Sequence, residues 1–458
     1  MTDSTIPKVF AVMFNKLTYW DVRSVALSIL NSCYWPTKSL KEIAEIKLDP
    51  IDQRDIYAKK VKLLDRISFD EGLVYSSFRS NNKMTQYRAK PGSILISKIN
   101  ARKKAIGIVP DENEVGFTIH FRTVEPDISK VNTTFLWLAL RSLFCTNQFE
   151  IETGGQGKGE ISESNLLNIQ SPLPPISIQQ KIVDYWQKAQ EELKRISSEI
   201  QSKDSIISRS VFEQVLIQYK TLKKQGYYFA KKWEEIERWG VEFNRWDWTP
   251  KNLLNSKYPM IRLGEVAVIN PTHFNYISGE EEISFVPMEC VDDFSGSIQS
   301  PQVKKYKLVR NGYTKFSNND VIWAKITPCM QNGKCAVATD LVNGMACGST
   351  EFHVVRTKNI KNLLPEYIWV ILRLYEVRQA AMRYFIGSAG QKRVPPEFLE
   401  NLYIPFPDVT IQRKIFLSMK SIVNSLVNKK QKALNLSTQI KQDIESVILG
   451  QKKIEEIL

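Results

Sequence analysis

The sequence predicts an α+β protein: two tandem mixed α/β domains, each followed by a long helix, the two helices pairing as an antiparallel coiled coil. Three observations predict it. The chain is written twice, because Pro172-Leu173-Pro174-Pro175-Ile176-Ser177-Ile178-Gln179-Gln180-Lys181-Ile182 returns as Pro405-Phe406-Pro407-Asp408-Val409-Thr410-Ile411-Gln412-Arg413-Lys414-Ile415. The offset of 233 (405 − 172) still holds between Val215 and Ile448. A repeat this long means two copies of one structural unit related by pseudo-symmetry. Short apolar, β-branched runs bounded by Pro and Gly give each copy buried strands, and a heptad pattern closes each copy.

Taken in chain order, Trp20-Asp21 faces Trp246-Asp247, Leu30-Asn31-Ser32 faces Leu254-Asn255-Ser256, and Leu40-Lys41-Glu42-Ile43-Ala44 faces Leu263-Gly264-Glu265-Val266-Ala267. Residues 45–90 and 268–317 then diverge without correspondence. The copies rejoin as a strand, Ser93-Ile94-Leu95-Ile96-Ser97-Lys98-Ile99 against Asp320-Val321-Ile322-Trp323-Ala324-Lys325-Ile326, and a second, 105–109 against 335–338. A helix carries Trp137-Leu138-Ala139-Leu140-Arg141 against Trp369-Val370-Ile371-Leu372-Arg373, and glycine-containing loops follow at 153–159 and 387–393. Proline fixes φ and cannot continue a preceding helix, so Pro172, Pro174, Pro175, Pro405 and Pro407 read as a hinge aiming each long helix. The expected organisation is a first domain at 1–178, a helix at 179–218, a basic and aromatic connector at 219–254, a second domain at 255–408 and a helix at 409–458.

The helical seams run through Ile182, Trp186, Ala189, Leu193, Ile196 and Ile200, and through Ile415, Met419, Ile422, Leu426, Lys429, Ala433, Leu436 and Ile440. Steps of four and three make a narrow coiled-coil seam rather than a broad core face. Matched lengths and registers favour mutual burial over each seam packing on its own domain or on a partner chain. Pseudo-two-fold symmetry makes such a pair antiparallel and sends the domains to opposite ends of a rod of roughly 55 Å. One turn of B-DNA measures about 34–36 Å, so the rod reads as a ruler between half-sites.

A formal net charge of +14, from 63 Lys and Arg against 49 Asp and Glu, admits a polyanionic partner. No run of about 18 apolar residues predicts a membrane span, and Met1-Thr2-Asp3-Ser4-Thr5-Ile6-Pro7 lacks a signal peptide's character. The 6 cysteines form no C-x-x-C pair, and Cys329, Cys335, Cys347 and His353 are spaced too irregularly for zinc. Buried thiols in a reducing cytoplasm are expected, with no metal site. Gly154 to Gly159 has P-loop glycine spacing without the Lys-Ser/Thr pair. Asn270-Pro271-Thr272-His273-Phe274 is similar to the Asn-Pro-Pro-Tyr/Phe motif of amino-methyltransferases but lacks its second proline and reads as a turn. His120 and His353 read as satisfied structural histidines. No nucleophile–base constellation exists, so no catalytic residue is expected.

Candidate DNA contacts fall into three groups. Lys98, Arg102 and Lys103 cluster at a turn between strands, with Lys325 at the corresponding place. The glycine loops supply Gln156 and Lys158, then Gln391, Lys392 and Arg393, donors suited to base edges and phosphates. The divergent segments supply Arg79, Asn81, Lys83 and Arg88, then Lys304 and Lys307. Two copies that read different half-sites must differ in their reading residues while the scaffold stays fixed. For any one lysine of the first group a solvated surface turn is about as strong a reading, the glycine loops are the better candidates, and the competing reading of the divergent segments is a loop of solvated polar residues.

The arrangement resembles the specificity subunit of type I restriction–modification systems. The resemblance is carried by Ile94-Leu95-Ile96-Ser97-Lys98-Ile99-Asn100-Ala101-Arg102-Lys103, by the two Pro-x-Pro…Gln-Lys/Arg-Lys-Ile segments, and by Gly390-Gln391-Lys392-Arg393. It covers essentially the whole chain. It implies two target-recognition domains that each read half of a split double-stranded DNA site. It further implies helices that dock two methyltransferase subunits, and motor–nuclease subunits that cleave unmodified DNA. S-adenosylmethionine, ATP and Mg belong on those partners, and this chain needs no cofactor. Ile178 and Ile411 depart from the family's frequent acidic residue, and Thr327-Pro328-Cys329-Met330 lacks the basic Asn-Ala-Arg-Lys form. The competing readings are a coiled-coil adaptor without DNA specificity and a self-contained methyltransferase.

Overall fold

The computed structural model describes residues 33–79, 84–112, 114–153, 159–215, 217–219, 225–226, 228–236, 239–246, 253–272, 277–387 and 391–457. Asn81, Lys83, Gln156, Lys158, His273 and the matches at Trp20-Asp21 and Leu30-Asn31-Ser32 lie outside them. The chain divides into two compact units, residues 1–194 with 434–458, and residues 195–433. Each therefore holds one domain, the near part of the helix that follows it and the far part of the other long helix.

In the first unit the strands are β1 (Thr37–Ser39), β2 (Ala44–Lys47), β3 (Asp49–Pro50), β4 (Lys62–Ile67), β5 (Val74–Ser77), β6 (Tyr87–Ala89), β7 (Ile94–Ser97), β8 (Ile106–Ile108), β9 (Val115–Phe117), β10 (Phe121–Pro126) and β11 (Gln170–Pro172). They form sheets ordered β1-β11, β2-β10-β7-β8 and β3-β6-β9-β4-β5. All of β7 is buried, as a strand flanked on both sides and covered on both faces must be. Ile94 and Ile96 face the core under helices α1 (Thr133–Leu140) and α2 (Leu143–Glu152). Leu95, on the alternate face, joins Ala89, Val115 and Phe117. The α1 helix begins where Asn132 accepts a bond from Phe135 N (3.1 Å), and α2 where Ser142 accepts one from Cys145 N (3.4 Å). Helix α3 (Ile176–Gln201) follows β11, starting three residues before the expected 179.

In the second unit, α4 (Lys203–Val215) continues α3 past a turn at Ser202. Strands β12 (Ile217–Tyr219), β13 (Leu254–Ser256), β14 (Met260–Arg262), β15 (Ala267–Ile269), β16 (Glu282–Val286), β17 (Gln302–Lys305), β18 (Thr314–Ser317), β19 (Val321–Ala324), β20 (Cys335–Val337), β21 (Met345–Gly348), β22 (Phe352–Thr357) and β23 (Tyr403–Pro405) follow. Helices α5 (Pro365–Arg373) and α6 (Tyr375–Arg383) cover the core, and α7 (Val409–Ile448) closes the chain. The sheets run β12-β13, β14-β23, β15-β22-β19-β20 and β17-β16-β21-β18. Again β19 is buried throughout and divides two cores, with Trp323 on one side and Ile322 on the other.

Two expectations change. The segments 45–90 and 268–317 do correspond. In one, β4 lies parallel to β9 and antiparallel to β5, and β6 is antiparallel to β9. In the other, β16, β21, β17 and β18 repeat that pattern, while the first copy adds β3. The proline hinge is also more than a hinge. Pro172 pairs with Thr37 in β1–β11 and Pro405 with Met260 in β14–β23, so the domain's last strand is what aims the helix.

The long helices pair in antiparallel fashion within each unit. In the first, Tyr185 Oη donates to Asp443 Oδ2 at 3.0 Å, and Ile182 and Ala189 share a core with Ile440 and Ile444. In the second, Lys429 pairs with Glu199, and Gln214 Nε2 donates to Ser418 Oγ at 2.9 Å. Rising numbers on α3 and α4 meet falling numbers on α7. The heptad gives way near each domain. Trp186 leans edge-on against Trp137 (5.2 Å), and Val423 is more buried than Ile422. There a helix serves its own domain as well as its partner helix.

Candidate nucleic-acid interface

Lys98 and Lys325 directly follow strands β7 and β19 in matching frames. Lys98 N donates to His120 O and Lys325 N to Glu351 O, both at 2.9 Å. The loop after each domain's helices returns to the same carbonyl, Ile161 N to Lys98 O (3.1 Å) and Val394 N to Lys325 O (2.9 Å). Positions 98, 120 and 160 thus correspond to 325, 351 and 393. Their side chains do not. Lys98 Nζ donates to Glu160 at 2.8 Å, and His120 pairs with the same carboxylate. In the second copy acid and base exchange places: Arg393 grips Glu351 through Nε (2.9 Å) and Nη2 (2.7 Å), the strong two-pronged geometry of guanidinium with carboxylate. Lys98 holds the Glu160 carboxyl below its ordinary range, and Arg393 does the same to Glu351.

The structure brings four predicted residues together at this end of the second sheet. Lys392 O accepts from Thr327 N (3.0 Å) and Gln391 O from Arg393 Nη1 (2.9 Å), which leaves the Gln391 and Lys392 side chains exposed beside Lys325 and Arg393. In the first copy Arg102 and Lys103 sit on the turn Ala101–Lys103 just after Lys98, with Lys103 exposed. The other candidates belong to the second sheets. Arg79 pairs with Asp65, and Arg88 stands among Glu114 (2.9 Å), Asp49 (3.7 Å) and Asp55 (4.0 Å). Lys304 lies over the Phe285 ring at 3.8 Å, and Lys307 binds Glu280 at 2.7 Å. Exposed ion pairs are worth about 0–1 kcal/mol, so a phosphate competes easily for these cations.

Sequence reasoning missed three features. First, the repeated Gln of the helix motif is a buried clasp. Gln412 is 0% exposed; its Nε2 donates to Asn362 O and Pro407 O (both 2.9 Å), and its Oε1 accepts from Leu364 N (2.9 Å). Gln179 does likewise with Pro174 O and Asn132 N, both at 2.8 Å. Each ties the start of a long helix to the start of α1 or α5. The signal was the repeat itself. Second, β4 and β5 display cations on aromatic rings, Arg66 over Tyr75 (4.6 Å) and Lys62 over Phe78 (5.6 Å), surfaces suited to nucleic acid. Third, buried Arg141 and Arg373 tie the divergent segments to the helices through backbone carbonyls of Phe69, Asp70, Asp293 and Phe294. Of the histidines, His353 is buried, donates Nε2–H to Val394 O (2.8 Å) and is pushed down in pKa by burial, whereas His120 is half-buried and pairs with Glu160. Among the described residues no group of His, Cys, Asp and Glu could hold a metal ion, and no helix is long and apolar enough to cross a membrane.

Fold and site define a class: a tandem-duplicated α/β protein whose copies share one backbone frame and differ in the charges set on it. A profile of the type I restriction modification DNA specificity domain matches residues 34–203 and again 255–436, and the chain belongs to this family. It is 34% identical over 200 residues to the type I restriction enzyme EcoEI specificity subunit of Escherichia coli, covering 43% of this chain and 33% of that one. The EcoAI specificity subunit of the same organism matches at 34% over 217 residues, 46% of this chain and 34% of that one. The chain thus spans about a third of the length of these two relatives. The MjaX specificity subunit of Methanocaldococcus jannaschii is 21% identical over 439 residues, 91% of this chain and 93% of that one. A solved structure from work on complex assembly and conformational transition of the type I R-M system shares the fold, with a TM-score of 0.55 at 14% identity over 90% of this chain and 96% of that one.

Proposed function

We propose that this chain is the DNA-recognition subunit of a type I restriction–modification complex, without catalysis of its own. Each domain reads one half of a bipartite duplex site. The residues that meet DNA are Lys98, Arg102, Lys103 and the loop with Gln156 and Lys158 in one domain, and Lys325, Gln391, Lys392 and Arg393 in the other. Arg79, Asn81, Lys83, Arg88, Lys304 and Lys307 extend those faces. The long helices dock two methyltransferase subunits, which bring S-adenosylmethionine, and motor–nuclease subunits bring ATP and Mg. The reading rests chiefly on the exchanged charges at positions 120/160 and 351/393, since one frame carrying two charge patterns is what a reader of two different half-sites requires.

The 40 residues of α7 would span about 60 Å, enough to set the spacing between half-sites. The test is methylation mapping of DNA exposed to the chain reconstituted with its methyltransferase partner, followed by binding to the mapped site. A split motif bound with a steep salt dependence is expected. Binding indifferent to sequence overturns the proposal and favours a coiled-coil adaptor. Adding one heptad to both helices should widen the spacer and leave both half-sites as they were.

A further inference from the structure

The two segments that diverge most in sequence share one device. Trp137 on α1 and Arg141, the residue that caps its C-terminus in αR conformation, stand four residues apart, as do Trp369 and Arg373 on α5, which puts each pair on one helix face. The Trp137 indole donates Nε1–H to the edge strand of its sheet at Ile106 O (3.0 Å), and the Trp369 indole shares its Nε1–H between Gly296 O in the divergent segment (2.8 Å) and the edge strand at Cys335 O (3.1 Å). Each guanidinium lies over its own indole, at 5.3 and 4.8 Å. From there it reaches a turn in the divergent segment. Arg141 Nη2 donates to Phe69 O (3.1 Å) and Asp70 O (2.7 Å); Arg373 Nη2 donates to Asp293 O (3.1 Å) and Phe294 O (2.7 Å).

The turns themselves repeat. Gly72 N donates to Ser68 O (3.0 Å) and Ser68 N to Leu73 O (2.9 Å); Gly296 N donates to Asp292 O and Asp292 N to Ser297 O, both at 3.0 Å. Gly72 and Gly296 have φ of +70° and +69°. A Cβ on Gly72 would stand 2.8 Å from Arg141 Nη1, and one on Gly296 1.3 Å from Arg373 Nη1. Both arginines are buried, 9% and 4% exposed. A guanidinium is costly to bury unless it is well hydrogen-bonded, so filling space alone does not account for it. The turn of the first copy joins β4 to β5; that of the second lies between β16 and β17.

We propose that this Trp–Arg clasp fixes the pose of the strand pair with which each domain reads DNA, Arg141 and Arg373 being positioning residues that each govern one half-site. The inference rests on the DNA-reading function proposed above. The held strands carry cations stacked on rings, different in the two copies: Arg66 on Tyr75 in one, Lys304 on Phe285 in the other. Such groups discriminate bases only when held within about 0.5 Å and 10–20° of their productive placement. The clasp supplies that restraint without itself touching a base.

The test uses the full chain reconstituted with its methyltransferase partner, and duplexes carrying the mapped site with a single base changed in one half. Discrimination is the ratio of the Kd for changed to unchanged duplex. Arg141→Met is expected to lower it roughly tenfold at one half and leave the other within about twofold; Arg373→Met is expected to do the reverse. Equal loss at both halves from a single variant, or no loss from either, overturns the clasp. If a methionine variant does not assemble, Arg141→Lys and Arg373→Lys, which keep the cation but not the two-carbonyl grip, are held to the same criterion. A wild-type complex without discrimination overturns the proposed function and this inference together; a discriminating wild type with unaffected variants overturns the clasp alone.

Discussion

Replacing Gln412 by Leu keeps the volume and apolar stem of the side chain and removes its polar head. That head makes three hydrogen bonds in a site with 0% exposure. Its loss strands Leu364 N at the start of α5 and two carbonyls. An unsatisfied buried donor costs about 1–3 kcal/mol, and each lost bond removes about 0.5–1.5 kcal/mol, so a loss of about 3 kcal/mol follows. For a unit of this size that is a fall in Tm of roughly 6–12 °C. Gln179→Leu removes two bonds and should cost less, about 2 kcal/mol. Arg413→Ala, on the exposed neighbour, should stay within about 0.5 kcal/mol. Thermal and urea unfolding of the full chain measure all three. A Gln412→Leu chain as stable as wild type, or one matched by Arg413→Ala, refutes the assignment of this motif as the bond between helix and domain.

Acid should loosen both loop ties. Glu160 and Glu351 have carboxyl pKa values held below the ordinary range by Lys98 and Arg393. Their contribution is therefore fully present above the unfolded-state value near 4.5 and is lost as pH falls through the lower folded values; Glu160→Gln and Glu351→Gln should flatten the stability–pH curve below that point. Lys392→Ala should weaken binding alike for all sequences and reduce the salt slope by about one; an unchanged slope removes Lys392 from the DNA face. Because the second copy holds its acid at Glu351 and its base at Arg393, the positions matching 120 and 160, His120→Glu with Glu160→Arg, which copies that order, should fold as well as wild type. His120→Glu alone sets two carboxylates together and should cost up to about 1 kcal/mol; equal stability of the single and double variants denies the coupling.

Periodicity and adjacency govern what was legible. The helices, the buried strands at Ile94 and Val321 and the duplication are local patterns, legible at offsets of 233 (412 − 179) for the helices and 227 (321 − 94) for the strands. The divergent segments follow another offset, 224 from Gly72 to Gly296 (296 − 72), and their strands are short. A pairing such as parallel β4 with β9 joins Leu63 to Gly116 across a long stretch of chain, and nothing local to either strand announces it. Gln179 and Gln412 were visible as repeated residues, but a buried polar side chain looks like a surface one until its partners, 47 and 48 residues away, are in place. The proline segments misled for the opposite reason. Proline's local rule, that it ends helices, holds at Pro172 and Pro405, yet β1 and β14 pair with them because an edge strand tolerates a missing donor.

Tertiary partners thus decided the strand pairing, the role of the repeated Gln and the place of the prolines. They also divide the site into two kinds of residue. Backbone contacts at Lys98 and Lys325, the buried Gln, and the Trp–Arg pair recur in both copies because each satisfies buried polar groups that water does not reach. The side chains at 120, 160, 351 and 393 sit where water can replace a lost partner, so they are held only to charge balance. Divergence is cheap where solvent compensates and costly where it does not. A frame built on this rule can change what it reads without changing how it folds.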